Sequence, residues 1–544
     1  MSLGQSLSPS LSAGPLRETG ARRITAGVVL YLLLGALTLS PLLCATVPPL
    51  VDYPNHLARM WILRHAQEIP ALATNYVVHW RLLPDLAMDL VVPALTHIMP
   101  IEQAGRLFIA VTMALPVLAT AALHRTLFGR VGLWPLGALL FVYNAVLFWG
   151  FLNFLFTQGL ALLLFSGWVA SEHWRTSVRV ALFSVAAALL LIMHLFAFGI
   201  YGLLMASYEI GKLMAARRWS AEGVAALAAR LAQFAPAALL WLASLGNGDP
   251  LVMRYGDVHA KLYAILAPAT FGWWPLPFDL GVALAALLFL LYARWSSALT
   301  LSPLMRVPLA AMIIAAVLMP NVVMGSWQAD IRLPVTLPFV LIASTRLEAP
   351  RRSVIAGFAA IALALLGTRL WLVSQVWRDA DRHFAEFRAA ARAIPAGARL
   401  LVVQAPMTRD EEMLPGISPY LTLRTRLDFY HMPQLAIIDR SAYLPYLFIG
   451  WTPVAPSKRN ADGRHMACGP LMPETFFESA SPASVPPDHF PPDILGERPY
   501  CFGWPQNFDY VLWIDFDPPS TPPMKGLELR ASGSFFRIYR IVRS

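Results

Sequence analysis

Residues 24–61 decide the fold; they read ITAGVVLYLLLGALTLSPLLCATVPPLVDYPNHLARMW. A helix that spans a bilayer needs about 20 mostly apolar residues, so the run from Ile24 to Val47 predicts a transmembrane helix. This run is longer than the core of a signal peptide, which has about 7–15 residues, and it lacks a convincing cleavage site. We therefore expect an uncleaved first membrane helix, with the basic residues 1–23 in the cytoplasm. Polar side chains follow at once, beginning with Asp52.

The composition of the whole chain is typical of a polytopic membrane protein. Of its 544 residues, 57% are hydrophobic and 14% are charged, whereas a soluble domain has about 25% charged residues. The formal net charge is +10, and in membrane proteins an excess of Lys and Arg is usual in cytoplasmic loops. Membrane lipids are therefore predicted partners, and nucleic acid is not.

The chain predicts about eleven transmembrane helices. After the first, apolar stretches lie at 104–124, 132–149, 151–170, 178–193, 196–211, 229–246, 276–294, 306–321, 333–347 and 353–375. Every second connection carries basic residues: Arg125, Arg130, Arg175, Arg179, Lys212, Arg217, Arg218, Arg294, Arg306, Arg346, Arg351 and Arg352. Because Lys and Arg mark cytoplasmic loops, this alternation predicts an inner N-terminus and one long outer loop at 51–103. Within that loop, 86–99 is expected to lie in the outer interface. If 86–99 crosses instead, the count becomes twelve and the C-terminus moves inside.

The composition changes after about Trp371. RHFAEFRAAARAIPAGARLLVVQAP predicts an amphipathic helix, a turn and a buried strand, and YVLWIDFD and FFRIYRIV predict further strands. Residues 376–544 are therefore expected to form a soluble α/β domain outside the cytoplasm, following a transmembrane domain at 24–375. If the source is bacterial, this side is the periplasm and the membrane is the inner membrane. A disulfide between Cys468 and Cys501 is expected on this oxidising side; the alternative is two unpaired buried thiols.

Ionisable side chains at membrane depth are costly and are candidates for function. In the predicted topology the candidates lie on the outer side: Asp52, His56, Arg59, Arg81, Asp85, His194, Arg254, Lys261, Trp327, Asp330 and Arg332. Structural alternatives accompany them. Asp52 is well placed to cap the helix that starts near Pro54. Asp330 and Arg332 are spaced for a local ion pair. Asn153 and Gln158 are suited to linking helices by hydrogen bonds. The tryptophans are suited to a belt at the membrane interface. Lys261 is suited to the solvated face of a loop.

The order of these segments resembles the GT-C superfold of membrane glycosyltransferases, over roughly residues 24–375. An acidic residue follows the first helix in VDYPNHLARMWIL, a proline-containing segment follows in WRLLPDLAMDLVVPALTHIMP, and an arginine opens the next helix in IEQAGRLFIAVTMALPVLATAALHRTLFGR. The dolichyl-phosphate-mannose mannosyltransferases and the aminoarabinose transferases have comparable runs. DIRLPVTLPFVLIAS is similar to the arginine-led, double-proline helix common in this superfold. The chain departs from many relatives where Asp52 is followed by Tyr53 rather than by a second acidic residue, and its C-terminal domain lacks a WWD-type motif.

The resemblance implies an enzyme that moves a sugar from a polyprenyl-phosphate donor to an extracytoplasmic glycan, lipid or protein. It implies Asp52 as the base and Arg332 as the phosphate ligand, with Arg59, Arg81, Arg254 and Lys261 as alternatives. Asp52 and His56 are too few ligands to define a metal site, so a divalent metal stays open and no cofactor is specified. Two other classes remain: a flippase, polymerase or other transporter of lipid-linked glycans, which usually carries charge at the bilayer midplane, and a non-catalytic scaffold.

Overall fold

The computed structural model is mostly helical. It describes residues 15–81, 84–217, 219–244, 252–272, 276–348, 352–405, 427–448, 452–457, 460, 470–471, 473–478, 480, 503–515 and 526–543. The α-helices are α1 Pro15–Leu39, α2 Tyr53–His65, α3 Pro70–Asn75, α4 Ala87–Leu95, α5 Ile101–Phe128, α6 Ala145–Trp149, α7 Leu152–Ala170, α8 Thr176–Met193, α9 Leu195–Ala216, α10 Ala221–Leu231, α11 Ala235–Ser244, α12 Val258–Leu266, α13 Pro277–Trp295, α14 Arg306–Leu318, α15 Arg332–Ser344, α16 Arg352–Ala390, α17 Leu427–Tyr430, α18 Leu435–Arg440, α19 Pro473–Glu478 and α20 Trp504–Asn507. The strands are β1 Tyr76–Val78, β2 Met253–Arg254, β3 Leu299–Leu301, β4 Val322–Val323, β5 Thr345–Leu347, β6 Leu400–Gln404, β7 Val454–Pro456, β8 Tyr510–Ile514, β9 Leu527–Ser532 and β10 Phe536–Ile541.

Six helices in the described ranges are long and apolar enough to cross a membrane: Ile101–Phe128, Leu152–Ala170, Thr176–Met193, Ala221–Ala243, Pro277–Trp295 and Ser353–Ala393. Two shorter apolar helices, Gly27–Leu43 and Pro303–Leu318, accompany them. The chain therefore has the character of a membrane protein. The count of about eleven spans and the orientation of the chain stay predictions.

The predicted span at 132–149 is wrong as a single helix. The segment forms a 3₁₀ helix, Trp134–Phe141, and then the short α6. Asn144 separates the two because its extended backbone starts α6 and its side chain accepts a hydrogen bond from the Leu147 N–H at 3.0 Å. An asparagine that caps one helix cannot also continue the preceding one.

Helix α4 covers most of the apolar stretch at 86–99. It has 9 residues, which at 1.5 Å per residue gives a length of about 14 Å. The hydrocarbon core of a bilayer is about 30 Å thick, so α4 is too short to cross it unaided. This length fits a helix in the interface, and the topology of the loop remains a prediction.

The central pair of helices, α5 and α7, packs at close range because of a glycine. A Cβ on Gly159 would lie 2.5 Å from Cβ of Leu115, a distance that no side chain tolerates. Small residues allow membrane helices to approach in this way. Gln158 beside it donates to the Thr336 hydroxyl at 2.8 Å and links α7 to α15, as the sequence predicts for a residue that joins helices.

The C-terminal part contains a four-stranded mixed sheet with the strand order β6-β8-β10-β9. β6 runs parallel to β8 with Leu400 opposite Tyr510, and the other neighbours are antiparallel. Every residue of β6 and β8 is buried, which explains their continuous apolar sequences. The three strands predicted from the sequence are all present here. Helix α16 continues through the predicted domain boundary at 375, so the change in composition marks no break in the chain's structure.

The connection between α1 and α5 and the C-terminal part are joined by a small sheet. β1 pairs antiparallel with β7, with Tyr76 opposite Pro456. The Asn75 amide next to it donates to the carbonyl oxygen of Ser441 at 2.9 Å, and α2 packs on α18. This junction brings the start of α2 together with residues of the C-terminal part.

Candidate functional site

The backbone at Asp52 is held by the loop that joins α6 to α7. The N–H groups of Val51 and Asp52 donate to the carbonyl oxygens of Phe148 and Trp149, at 3.0 Å and 3.1 Å. Gly150 follows with a φ of 81°, and a Cβ at this position would lie 2.9 Å from the Asp52 nitrogen. Only glycine combines this backbone conformation with so close an approach.

The Asp52 carboxylate does not cap α2. The residue occupies the N-cap position, yet its side chain makes no capping hydrogen bond, so the capping alternative is not realised. The side chain is only 17% exposed. Burial raises the pKa of this carboxyl to about 8, against the opposing effect of the Arg59 charge. A carboxyl with such a pKa is suited to accepting a proton near neutral pH.

A histidine from the C-terminal part faces Asp52. His431 Nε2 lies 3.5 Å from Asp52 Oδ1, and the other ring nitrogen, Nδ1, lies 3.0 Å from the side-chain nitrogen of Asn55. The imidazole is buried beside the rings of Tyr446 and Phe448, with centroids at 5.9 Å and 5.0 Å. Burial lowers the pKa of His431 to about 3, with Gln434 opposing that effect.

Next along α2, Arg59 forms a buried ion pair with Asp89 of α4. Arg59 Nη2 lies 2.8 Å from Asp89 Oδ2, and the two side chains are 2% and 0% exposed. Arg59 Nε and Asp89 Oδ1 have no hydrogen-bond partner in the described structure. His56 is also buried, against Phe448, with centroids at 5.4 Å; burial first, and then the Arg59 charge, hold its pKa well below the usual range.

A second cationic group lies where α9 and α15 begin. Arg332 Nη1 is 3.3 Å from His194 Nε2, and the same nitrogen of His194 is 3.7 Å from Asp85 Oδ1. Arg332 Nη2 donates to the Ser326 hydroxyl at 2.8 Å. Within the described ranges no carboxylate pairs with Arg332, and its Nε has no partner.

The structural alternative of an ion pair between Asp330 and Arg332 is not realised in the described structure. Asp330 instead accepts a hydrogen bond from the Asn321 amide at 3.0 Å and lies 3.9 Å from the Lys261 ammonium. Lys261 also donates to the carbonyl oxygen of Met319, so it is not a solvated loop residue. The guanidinium of Arg332 is consequently directed towards His194.

The segment 149–153 connects the Asp52 and Arg332 groups. The Trp149 carbonyl holds Asp52, and the Phe151 ring lies 5.2 Å from the guanidinium carbon of Arg332. Asn153 donates to the carbonyl oxygen of Asp85 at 3.0 Å and accepts from the Met88 N–H at 2.7 Å. We define the polar cluster as Asp52, Asn55, His56, Arg59, Asp85, Asp89, His194, Arg332 and His431.

Besides Asp330 and Lys261, three predicted residues lie apart from this cluster or at its edge. Arg81 and Arg254 are exposed, and within the described structure no hydrogen bond or ion pair joins either to Asp52 or Arg332. Trp327 is 45% exposed and packs edge-on against Trp149, with centroids at 5.0 Å. Cys468 and Cys501 lie outside the described residues, and their disulfide stays a prediction. Among the described residues no three or more His, Cys, Asp or Glu side chains form a group able to hold a metal ion.

Three members of the cluster, Asn55, Asp89 and His431, were not among the candidates from the sequence. Asn55 and His431 are 376 positions apart, and DFYHMP around His431 matches no recognised motif. Asn55 could have been identified as a candidate, because it lies between Asp52 and His56 on the polar face of α2.

No family model matches the chain, and no curated protein matches it in sequence. Among solved structures it is similar to ArnT from Cupriavidus metallidurans in the apo state, with 12% identity, a TM-score of 0.42 and coverage of 96% of this chain and 98% of that chain. It is also similar to the same protein bound to undecaprenyl phosphate, with 13% identity, a TM-score of 0.43 and coverage of 96% and 99%. These structural neighbours are aminoarabinose transferases of GT-C fold, one of the families that the sequence resembles. At these values the likeness assigns no substrate and no residue role to this chain.

Proposed function

We propose that the chain is a membrane glycosyltransferase that moves a sugar from a polyprenyl-phosphate donor to a hydroxyl group of an acceptor on the outer face. One observation carries the proposal. A carboxylate without a capping role lies in one cluster with a buried guanidinium that lacks a carboxylate partner among the described residues, and the segment 149–153 contacts both.

Asp52 is suited to the part of general base. In the transfer, the acceptor oxygen forms a bond to the anomeric carbon of the sugar, and the bond from that carbon to the phosphate oxygen breaks. The acceptor proton passes to the Asp52 carboxylate, and the polyprenyl phosphate leaves with the bonding electrons. A positioned carboxylate accelerates such a proton transfer by roughly 10²–10⁴-fold.

Arg332 is suited to the leaving phosphate. The rings of Phe151, Phe154 and Phe196 lie 4.4–5.4 Å from its guanidinium carbon. Its Nε has no hydrogen-bond partner in the described structure, so this N–H remains for an anion. A guanidinium binds phosphate oxygens through two parallel hydrogen bonds and stays charged. Arg59 is a weaker choice because Asp89 already neutralises it.

The donor lipid and the orientation complete the proposal. Helices α5 and α8 carry exposed leucines and valines on their outer surfaces, such as Leu107, Leu118, Val185 and Leu189, and apolar walls of this kind suit a polyprenyl tail. The acceptor side is the outer face of a bacterial inner membrane, with the N-terminus in the cytoplasm and residues 376–544 outside it. This arrangement lets a carboxylate just beyond the first helix meet an aqueous acceptor and a lipid-held donor.

The arrangement of charge favours an enzyme over a transporter. A transporter usually carries its ionisable residues on broken helices near the bilayer midplane. Here the cluster lies at helix ends and in connections: Asp52 precedes α2, His194 precedes α9, and Arg332 opens α15. A non-catalytic scaffold is distinguished by the assay below.

The test uses the full chain in lipid nanodiscs with synthetic undecaprenyl-phosphate glucose, mannose or arabinose as donor. An extract of bacterial envelope lipids and glycans serves as the acceptor. Release of undecaprenyl phosphate, measured by mass spectrometry, reports transfer whatever the acceptor is. We expect release from at least one donor, dependent on both the extract and Asp52. Absence of release from every donor, together with no binding of undecaprenyl phosphate, would reject the proposal.

A further inference from the structure

We propose that His431 is a positioning residue for Asp52: the C-terminal part supplies an imidazole N–H that orients the carboxylate and favours its ionised form. The proposal rests on the proposed function of Asp52 as the base. It adds a residue from a part of the chain in which the sequence shows no motif.

The hydrogen bonds of Asn55 determine which nitrogen of His431 carries the proton. The Asn55 carbonyl oxygen accepts from the Phe448 N–H at 2.9 Å, and its amide nitrogen donates to the Tyr446 carbonyl oxygen at 3.1 Å. These two backbone partners fix the orientation of the amide, because a flipped amide would face each of them with the wrong group. The second amide hydrogen of Asn55 then points to His431 Nδ1, 3.0 Å away.

A ring nitrogen that accepts a hydrogen bond carries no proton. Neutral imidazole has one donor and one acceptor, so with Nδ1 accepting, the proton of His431 lies on Nε2. Nε2 is the atom that faces Asp52 Oδ1 at 3.5 Å. An N–H that faces a carboxylate stabilises the ionised form of that carboxylate.

The ring stays neutral because of its surroundings. His431 is 4% exposed, and Tyr446 stacks on it with an interplanar angle of 26°. A buried imidazole resists protonation, so His431 acts as a fixed dipole rather than as a second base. The same tautomer is then maintained through the pH range in which Asp52 titrates.

The other titratable groups around Asp52 are few. Helix α2 contributes Arg59 and His56, and the C-terminal part contributes Tyr430 and His431. The contacting backbone segment at Phe148, Trp149 and Gly150 contributes no titratable side chain. Arg59 is paired with Asp89, and His56 is neutral, so the Nε2–H of His431 faces the carboxylate beside the phenol of Tyr430, with Gln434 as a further partner of the imidazole.

A purely structural histidine would satisfy the same packing without affecting Asp52. The first experiment therefore determines the tautomer without reference to activity. In protein labelled with ¹⁵N and ¹³C at histidine, the signal missing from His431→Gln identifies residue 431, and its Cδ2–Nε2 correlation identifies that nitrogen. We expect a protonated Nε2 and an unprotonated Nδ1 at pH 7. The opposite tautomer would overturn the inference and leave the proposed function of Asp52 intact.

The second experiment follows the pH dependence of transfer for three variants. His431→Phe keeps an aromatic ring but has no N–H, whereas His431→Gln places an amide N–H near the former Nε2. His383→Phe is the matched control because His383, like His431, packs against aromatic rings of the C-terminal part. Its ring lies 5.6 Å from that of Phe429, and no hydrogen bond or ion pair joins it to Asp52 in the described structure.

For His431→Phe we expect the acid limb of kcat/KM to move to higher pH by about one unit, since the N–H dipole that faces the carboxylate is lost and the ionised form is less stabilised. At pH 7 kcat should fall about tenfold with KM unchanged. His431→Gln should recover most of this loss, and His383→Phe should match the unchanged protein. An unmoved limb in a folded His431→Phe protein would overturn the inference, as would no recovery in the Gln variant. Full transfer by Asp52→Asn would instead remove the proposed function.

Discussion

The carbonyl oxygen of Trp149 accepts a hydrogen bond from the Asp52 N–H at 3.1 Å, and the Trp149 ring packs edge-on against Trp327, with centroids at 5.0 Å. Ser326, next to Trp327, accepts a hydrogen bond from Arg332 at 2.8 Å. Trp149 therefore contacts both parts of the polar cluster: the Asp52 part through its backbone carbonyl and the Arg332 part through its ring. A displacement of this residue would move the carboxylate and the guanidinium together.

Replacing Asp52 by Asn should abolish transfer without unfolding the protein. The amide cannot accept the acceptor proton, and the side chain makes no capping bond whose loss would weaken α2. We expect the rate of undecaprenyl phosphate release to fall by at least about a hundredfold. Binding of undecaprenyl phosphate and the melting temperature at pH 5 should be retained. A variant that transfers at a near-normal rate would show that another group is the base.

The raised pKa of Asp52 predicts opposite effects of pH on activity and on stability. Because the base must be ionised, kcat/KM should increase as the pH rises towards about 8. An unfolded Asp ionises near pH 4, so the folded state binds this proton more tightly and loses stability, relative to the unfolded chain, as the pH rises from about 4 to about 8. Melting curves of the unchanged protein and Asp52→Asn should therefore diverge over this range, with the Asn variant more stable at pH 8. Parallel curves would contradict the raised pKa.

Gly150→Ala should displace Asp52, and Gly129→Ala provides the control. Both glycines have a positive φ, 81° and 73°, but a Cβ on Gly150 meets the Asp52 backbone whereas a Cβ on Gly129 meets nothing within 4 Å. Each variant should lose about 1 kcal/mol of stability from backbone strain. Only Gly150→Ala should also lose transfer, by about tenfold or more, in the nanodisc assay. Equal activity of the two variants would show that this contact does not place the carboxylate.

Arg332→Lys should weaken the binding of undecaprenyl phosphate even though the charge is kept. An ammonium cannot form the two parallel hydrogen bonds of a guanidinium or keep its stacking on aromatic rings. We expect a loss of affinity of about tenfold, measured by titration of nanodiscs with the lipid. Arg254→Lys, at an exposed position, should bind as the unchanged protein does. The assignment fails if the two variants bind alike.

Breaking the ion pair between Arg59 and Asp89 should cost stability that a double substitution restores. Both side chains are almost fully buried, and removing one partner from a buried pair leaves an uncompensated charge at a cost of about 3–5 kcal/mol. Asp89→Leu should therefore melt well below the unchanged protein. Arg59→Met with Asp89→Leu should recover most of the loss. A double variant no more stable than the single one would contradict a mainly electrostatic cost.

The sequence predicted those parts of the fold that depend on local pattern. Apolar length predicted α5, α7, α8 and α13 to within a few residues, and continuous apolar runs predicted β6, β8 and β10. The segment 132–149 was missed because apolar composition does not reveal that Asn144 stops one helix and caps another.

The sequence predicted several residues of the candidate site but not the residues that they contact. Ionisable residues are rare in so apolar a chain, and the sequence could therefore identify Asp52, His56, Arg59 and Arg332. The partners of these residues could not be predicted, because pairing depends on tertiary contacts that no local pattern encodes. Asp330 accepts a hydrogen bond from Asn321 rather than pairing with Arg332, and Asp52 faces His431, which is far from it in the sequence. The roles of all these residues stay predictions until the variants are measured.

The separation between Asn55 and His431 also has a consequence during synthesis. The two residues are 376 positions apart, and at about 5–20 residues per second a ribosome needs roughly 20–75 s to make the chain between them. A nascent copy therefore carries Asp52 for that time without the imidazole that faces it and without β7, the strand that pairs with β1. Unfinished copies hold an incomplete site, and only a chain translated past His431 and β7 can assemble it.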